Sequence, residues 1–151
     1  MIRSVAMVAS SICVAAIGFA STAHCAPAAN LPVTDQVRGE LVQTGAALLG
    51  LPAAAFTGLD AGDTYYAYDP DSQTYWAAAG LTPSANSYQA QVSTQDDGSY
   101  LLFTKPTGQA WRAYRDGLGG QQGATCPVQL PAAVLALWQW SAASCFPPIR
   151  H

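Results

Sequence analysis

The chain has 151 residues, half of them hydrophobic and only a tenth charged, with a net charge of −3 at pH 7. That length supports one domain with a real core and is too short for two ordinary ones. A mildly acidic chain has no electrostatic attraction for nucleic acid or anionic lipid, so neither is an expected partner.

Met1-Ile2-Arg3 is a short basic start, and residues 4–20 form an almost uncharged apolar run rich in Val, Ile and Ala. These are the n-region and h-region of a secretory signal, followed by small residues suited to cleavage. Cutting after Cys25 leaves small residues at both specificity positions, Ala23 and Cys25; cuts after Ala23 or Ala28 are rivals. A membrane span wants about 20 apolar residues, and this run falls short with no stop-transfer flank, so a retained anchor is the lesser alternative. Lipidation of Cys25 is disfavoured by Thr22 and His24, which stand where a Leu-like and a small residue are needed. The expectation is a cleaved signal peptide over 1–25 and a single mature domain over 26–151, secreted or held in the cell envelope. Loss of Arg3 leaves five basic and nine acidic residues, a mature charge of −4.

Export gives the cysteines their meaning. Cys13 and Cys25 fall in the removed segment, and Cys126 and Cys145 remain as a pair in an oxidising compartment. A disulfide between them would close a loop of about twenty residues, roughly 3 kcal/mol of stabilisation in the chain-entropy picture. Two unrelated buried thiols are the alternative. A zinc site needs four ligands, and the mature chain adds only His151 to these two.

Thr34 or Asp35 caps a predicted helix over residues 35–49, with Val37, Leu41, Gly45 and Leu48 as its inward stripe and Asp35, Gln36, Glu40 and Gln43 left wet. Gly39 and Gly45 each weaken it by about 1 kcal/mol relative to Ala unless the helix lies close on a sheet. Residues 53–62 read as a connection in which Phe56 and Leu59 plug a core edge. From Thr64 to Arg115 turn residues punctuate β-branched and aromatic runs, which predicts an antiparallel meander of about five strands.

The first hairpin joins 64–68 to 74–79 across Asp69-Pro70-Asp71-Ser72-Gln73, where Pro70 presets the turn and the Asp69 carboxylate folds onto nearby amides. If Tyr68 opposes Thr74, Tyr66 opposes Trp76. A third strand over 88–94 alternates Tyr88, Ala90 and Val92 against Gln89, Gln91 and Ser93. Asp97-Gly98 turns into 99–105, and Pro106-Thr107-Gly108 into 109–115. With a two-residue turn at Asp97-Gly98, Val92 opposes Phe103; across the next turn Phe103 opposes Trp111 and Leu101 opposes Ala113, so Val92, Leu101, Phe103, Trp111 and Ala113 share a buried face. Tyr100, Leu102, Arg112 and Tyr114 share the other; a bulged turn would flip the third strand. Beyond the loop 117–125, Pro131 opens a short apolar helix to Trp140 whose Val134, Leu135 and Trp138, with Leu137 as a further candidate, close the core.

Familiar chemistries fail one by one. Nucleophilic catalysis needs a base near the nucleophile, and the only mature histidine is the terminal His151. Glycosidic hydrolysis needs two carboxyls about 5–9.5 Å apart, whereas Glu40 sits on a helix and seven of the eight aspartates belong to turns. The four glycines at 117, 119, 120 and 123 lack the Lys-Ser/Thr and the helix that phosphate cradling requires. Asp69 opens a calcium-loop pattern that breaks at Thr74, where glycine is needed, and at Gly80, where glutamate is needed; only a weak calcium site in these turns survives. No cofactor and no metal site is expected.

Aromatic side chains are what remains: seven tyrosines and four tryptophans, many of them in the meander. Tyr100, Arg112 and Tyr114 beside Gln91 make a candidate binding face, since Tyr and Arg concentrate interface energy and tyrosine can also stack on sugars. The competing reading is that a helix or loop covers that face.

The blocks TYYAYDPDSQTYWAAAGL, QAQVSTQDDGSYLLF and CPVQLPAAVLALWQW, behind an Ala-rich signal, resemble small exported proteins of mycobacteria and related actinobacteria. The resemblance covers most of the mature chain, implies export into or beyond the envelope, and brings no catalytic residues with it. The fold expected is α+β: an N-terminal helix on the meander, closed by a short disulfide-tethered C-terminal helix. The function expected is non-enzymatic binding of a protein or envelope component through the aromatic sheet face. An inhibitor of a secreted enzyme, presenting the loop 117–125, and a small carboxylate-dependent envelope hydrolase are the alternatives.

Overall fold

In the computed structural model, which describes residues 26–95, 100–115, 126–141 and 147, the first helix begins where Thr34 can satisfy its open amides. The Thr34 hydroxyl accepts the Val37 N–H at 3.3 Å, and α1 runs from there as Asp35–Leu48. It ends at Gly50, whose φ of 70° is left-handed and therefore suits glycine. Val37, Leu41 and Gly45 face inward as expected. Leu48 does not: it is 45% exposed, and Leu49 takes the inward position instead.

Six antiparallel strands form the sheet, β1 (Ala29–Asn30), β2 (Phe56–Leu59), β3 (Tyr65–Asp69), β4 (Thr74–Pro83), β5 (Tyr100–Pro106) and β6 (Arg112–Tyr114). Their order is β1-β3-β4-β5-β6, and β2 pairs with the last residues of β4. The chain is thus α+β with an antiparallel sheet, but the meander differs from the expected one. Residues 53–62, read as a connection, contain a single 3-10 turn and then β2, and Phe56 and Leu59 are indeed buried.

The expected third strand is a helix, α2 (Tyr88–Ser93). The Ser87 hydroxyl accepts the Ala90 N–H at 3.3 Å, while the Ser93 and Thr94 hydroxyls both donate back to the Ala90 carbonyl at 2.9 Å. Short hydroxyl side chains therefore close both ends of one and a half turns, and the apparent alternation of Tyr88, Ala90 and Val92 is overridden. Only Ala90 is buried; Tyr88 and Val92, four residues apart, are 80% and 44% exposed.

Register also departs from expectation. Asp69 pairs with Thr74 and Tyr68 with Tyr75, so Tyr66 opposes Ala77 rather than Trp76. The reason lies in the turn: the Asp69 carboxylate accepts the Asp71 and Ser72 amides and the Ser72 hydroxyl, which draws Asp69 into the last rung of the hairpin. Phe103 opposes Ala113 rather than Trp111, a shift of two residues that preserves the face assignment.

A helix packs on each sheet face. Ala77, Ala79, Leu101, Phe103 and Trp111 pack against Leu41 and Ala46 of α1. The opposite face, with Ala67, Trp76, Ala78 and Leu102, packs against Val134, Leu135 and Trp138 of α3 (Ala132–Trp138). The central strand β4 carries alanines at 77, 78 and 79, all fully buried, so both helices come close. Among the described residues no helix is long and apolar enough to cross a membrane. Cys126 is disulfide-bonded. Its expected partner Cys145, the signal segment 1–25, the Asp97-Gly98 turn and the loop 117–125 lie outside the described residues.

Candidate functional site

The four residues proposed from sequence do not form one exposed face. Tyr100 lies in an aromatic layer beneath the C-terminal segment, 6.4 Å from the Trp140 ring, and its hydroxyl donates to the Asp63 carbonyl at 3.1 Å. Burial pushes its phenol far above the ordinary range, helped by Tyr65, Asp63 and Asp60. Tyr114 packs in the same layer and meets the Thr104 hydroxyl at 3.5 Å. Arg112 is exposed on the short last strand. Gln91 is not on the sheet at all: it sits on α2, where its amide donates to the carbonyls of Ser84 and Ala85 at 3.2 and 3.0 Å. Trp138 and Trp140 against Tyr65, at 5.5 and 5.2 Å, complete the covering of this side.

The other face carries a second cluster of tyrosines, partly covered. α1 crosses it with Gly45 pressed on Leu81 and Leu101, close enough that a Cβ would stand 2.9 Å from a methyl of each. Glu40, five residues earlier, reaches Lys105 near the other end of β5. On this face Tyr66, Tyr68 and Tyr75 stand half-buried side by side on β3 and β4. The Tyr68 and Tyr75 rings are 4.7 Å apart; Tyr66 and Tyr75 are 6.1 Å apart and near-parallel at 27°. Tyr66 also lies 6.1 Å from Trp111. Among the described residues the three phenol hydroxyls make no hydrogen bond to the protein.

Glu40 ties this shelf to the helix. One carboxylate oxygen accepts the Trp111 indole N–H at 2.8 Å and the Lys105 ammonium at 3.0 Å; the other accepts the Gln36 amide at 2.9 Å. Lys105 lies 5.5 Å from the Trp111 ring centroid, within reach of a cation–π contact. The hydrogen bonds from Gln36, Lys105 and Trp111, with the charge of Lys105, hold the Glu40 carboxyl below its ordinary range against a smaller opposing effect of burial. Tyr66 is shifted upward by burial first, then by Tyr75 and Glu40, so at neutral pH its hydroxyl keeps its proton and can donate.

Glu40 is not tuned as a general acid. A general acid requires a carboxyl raised toward neutrality, and Glu40 is shifted the other way. Among the described residues no group of three or more His, Cys, Asp or Glu is placed to hold a metal ion. What the shelf offers is ring faces, free hydroxyls, and an ammonium with donors to spare beyond the one spent on Glu40. Sequence reading placed Glu40 in water and missed the shelf. The available signal was Glu40 beside Leu41 on the inward stripe, opposite a strand ending in lysine.

No protein family, no curated protein and no solved structure matches this chain.

Proposed function

We propose that the mature chain, residues 26–151, is an exported, non-enzymatic binding protein with Cys126 paired to Cys145, and that it holds a cell-envelope component on the shelf of Tyr66, Tyr68 and Tyr75. The observation that carries this reading is three adjacent half-buried phenol rings whose hydroxyls have no protein partner among the described residues. Rings already held in place by their neighbours lose little conformational freedom on binding and present a large contact area. The same logic moves the binding surface from the side of Tyr100 and Tyr114, which α3 and Trp140 occupy, to the α1 side. Export follows from the signal-like segment and agrees with a disulfide at Cys126.

The test is co-sedimentation of the purified mature protein with envelopes isolated from the producing cell. Wild-type protein is retained, and the Tyr66→Ala/Tyr68→Ala/Tyr75→Ala variant is released, while Tyr100→Phe, on the covered side, is retained like wild type. Equal retention of wild type and the triple variant would remove the shelf as the binding surface.

A further inference from the structure

We infer that the occupant of the tyrosine shelf is a neutral pyranose glycan; this rests on the shelf being the binding surface. A pyranose presents flat faces of weakly positive C–H bonds ringed by hydroxyls. Its natural counterpart is an aromatic face, negative at its centre, with hydrogen-bonding groups at the margin. The shelf has that composition: three phenol rings, and beside them Gln36, Glu40 and Lys105 joined by bonds of 2.9 and 3.0 Å. Phenol hydroxyls and the ammonium supply donors, and the carboxylate supplies acceptor capacity that its three present bonds do not exhaust.

Two further observations select a neutral sugar. The mature chain is acidic, and Lys105 is already neutralised by Glu40, so the shelf has no unspent positive charge to attract an anionic polymer. Tyr66 and Tyr68 are two residues apart on one strand and point to one side, so successive rings can meet successive sugar units of a linear chain.

The probes are neutral hexasaccharides (cellohexaose, laminarihexaose, mannohexaose and chitohexaose) titrated into the mature protein by calorimetry and by tryptophan fluorescence, which reports through Trp111 beside Tyr66. At least one binds at a single site. Replacing any one of the three tyrosines by Ala weakens it roughly tenfold, the loss of one stacked ring. Gln36→Ala, an exposed side chain whose loss leaves the core untouched, weakens it by a smaller factor, which keeps the test open if a tyrosine variant fails to fold. The bound hexasaccharide also displaces the protein from envelopes. Flat titrations with all four sugars, together with envelope retention that still depends on the three tyrosines, overturn the glycan and leave the shelf standing. Tighter binding of polygalacturonate than of any neutral sugar overturns the neutral class, and retention indifferent to the tyrosines defeats the binding surface itself.

Discussion

Two glycines on one helix should respond to the same substitution in opposite senses. Gly39 of α1 has open space where a Cβ would stand, whereas at Gly45 the Cβ would lie 2.9 Å from Leu81 Cδ1 and 2.9 Å from Leu101 Cδ1. Replacing glycine by alanine inside a helix favours folding by about 1 kcal/mol, and Gly39→Ala should show that gain undiminished. At Gly45 the same gain is set against overpacking. Leu81 and Leu101 are among the most deeply buried side chains in the protein, at 0% and 1% exposure, and have little room to retreat. Overpacking of this kind costs about 1–3 kcal/mol, so Gly45→Ala should come out between neutral and about 2 kcal/mol destabilising, a gap of about 1–3 kcal/mol from its partner. Urea unfolding of the purified protein reads this directly. In a domain of this size the thermal midpoints should separate by about 3–5 °C for each kcal/mol. If Gly45→Ala stabilised as much as Gly39→Ala, α1 would not be pressed on the sheet, and the frame that leaves the tyrosine shelf open would be wrong.

Glu40 should give the protein a measurable acid sensitivity. Its carboxyl is held low in the folded state, so the stability it contributes is whole above the ordinary glutamate value of about 4.3 and is lost as pH falls through the lower folded value. The stability gap between wild type and Glu40→Gln should therefore be constant near neutrality and shrink as the solution is acidified below about pH 4; a gap that widened on acidification would contradict the assigned hydrogen bonds. Asp69 should matter to folding and not to binding. It is 3% exposed and accepts two turn amides and the Ser72 hydroxyl, so Asp69→Ala should cost about 1–3 kcal/mol in urea, with envelope retention intact in the folded fraction. Retention lost in step with a fully folded Asp69→Ala protein would extend the binding surface to this turn.

Much of the architecture was legible in the chain because its signals are local. Thr34 before an apolar stripe and Gly50 after it mark α1, and Asp69-Pro70 marks the first hairpin. Alternation along residues 101–104 assigns Leu101 and Phe103 to one face and Leu102 to the other, and the structure keeps that division. Signals of that kind depend on a few neighbouring residues and survive whatever packs on them. The aromatic richness is likewise written in composition alone.

Tertiary structure decided which face was free. Residues 88–93 have a pattern that suits either period, and two hydroxyl caps converging on the Ala90 amide and carbonyl settled it as a helix, taking Gln91 off the sheet. Tyr100 and Tyr66 look alike in sequence; one lies against Trp140 and the other against Tyr75 and Trp111, because they belong to opposite faces of the sheet. Glu40 gained its role from Trp111, which lies 71 positions away. Contacts at such separation follow from how whole elements pack, and no periodicity within either element encodes them.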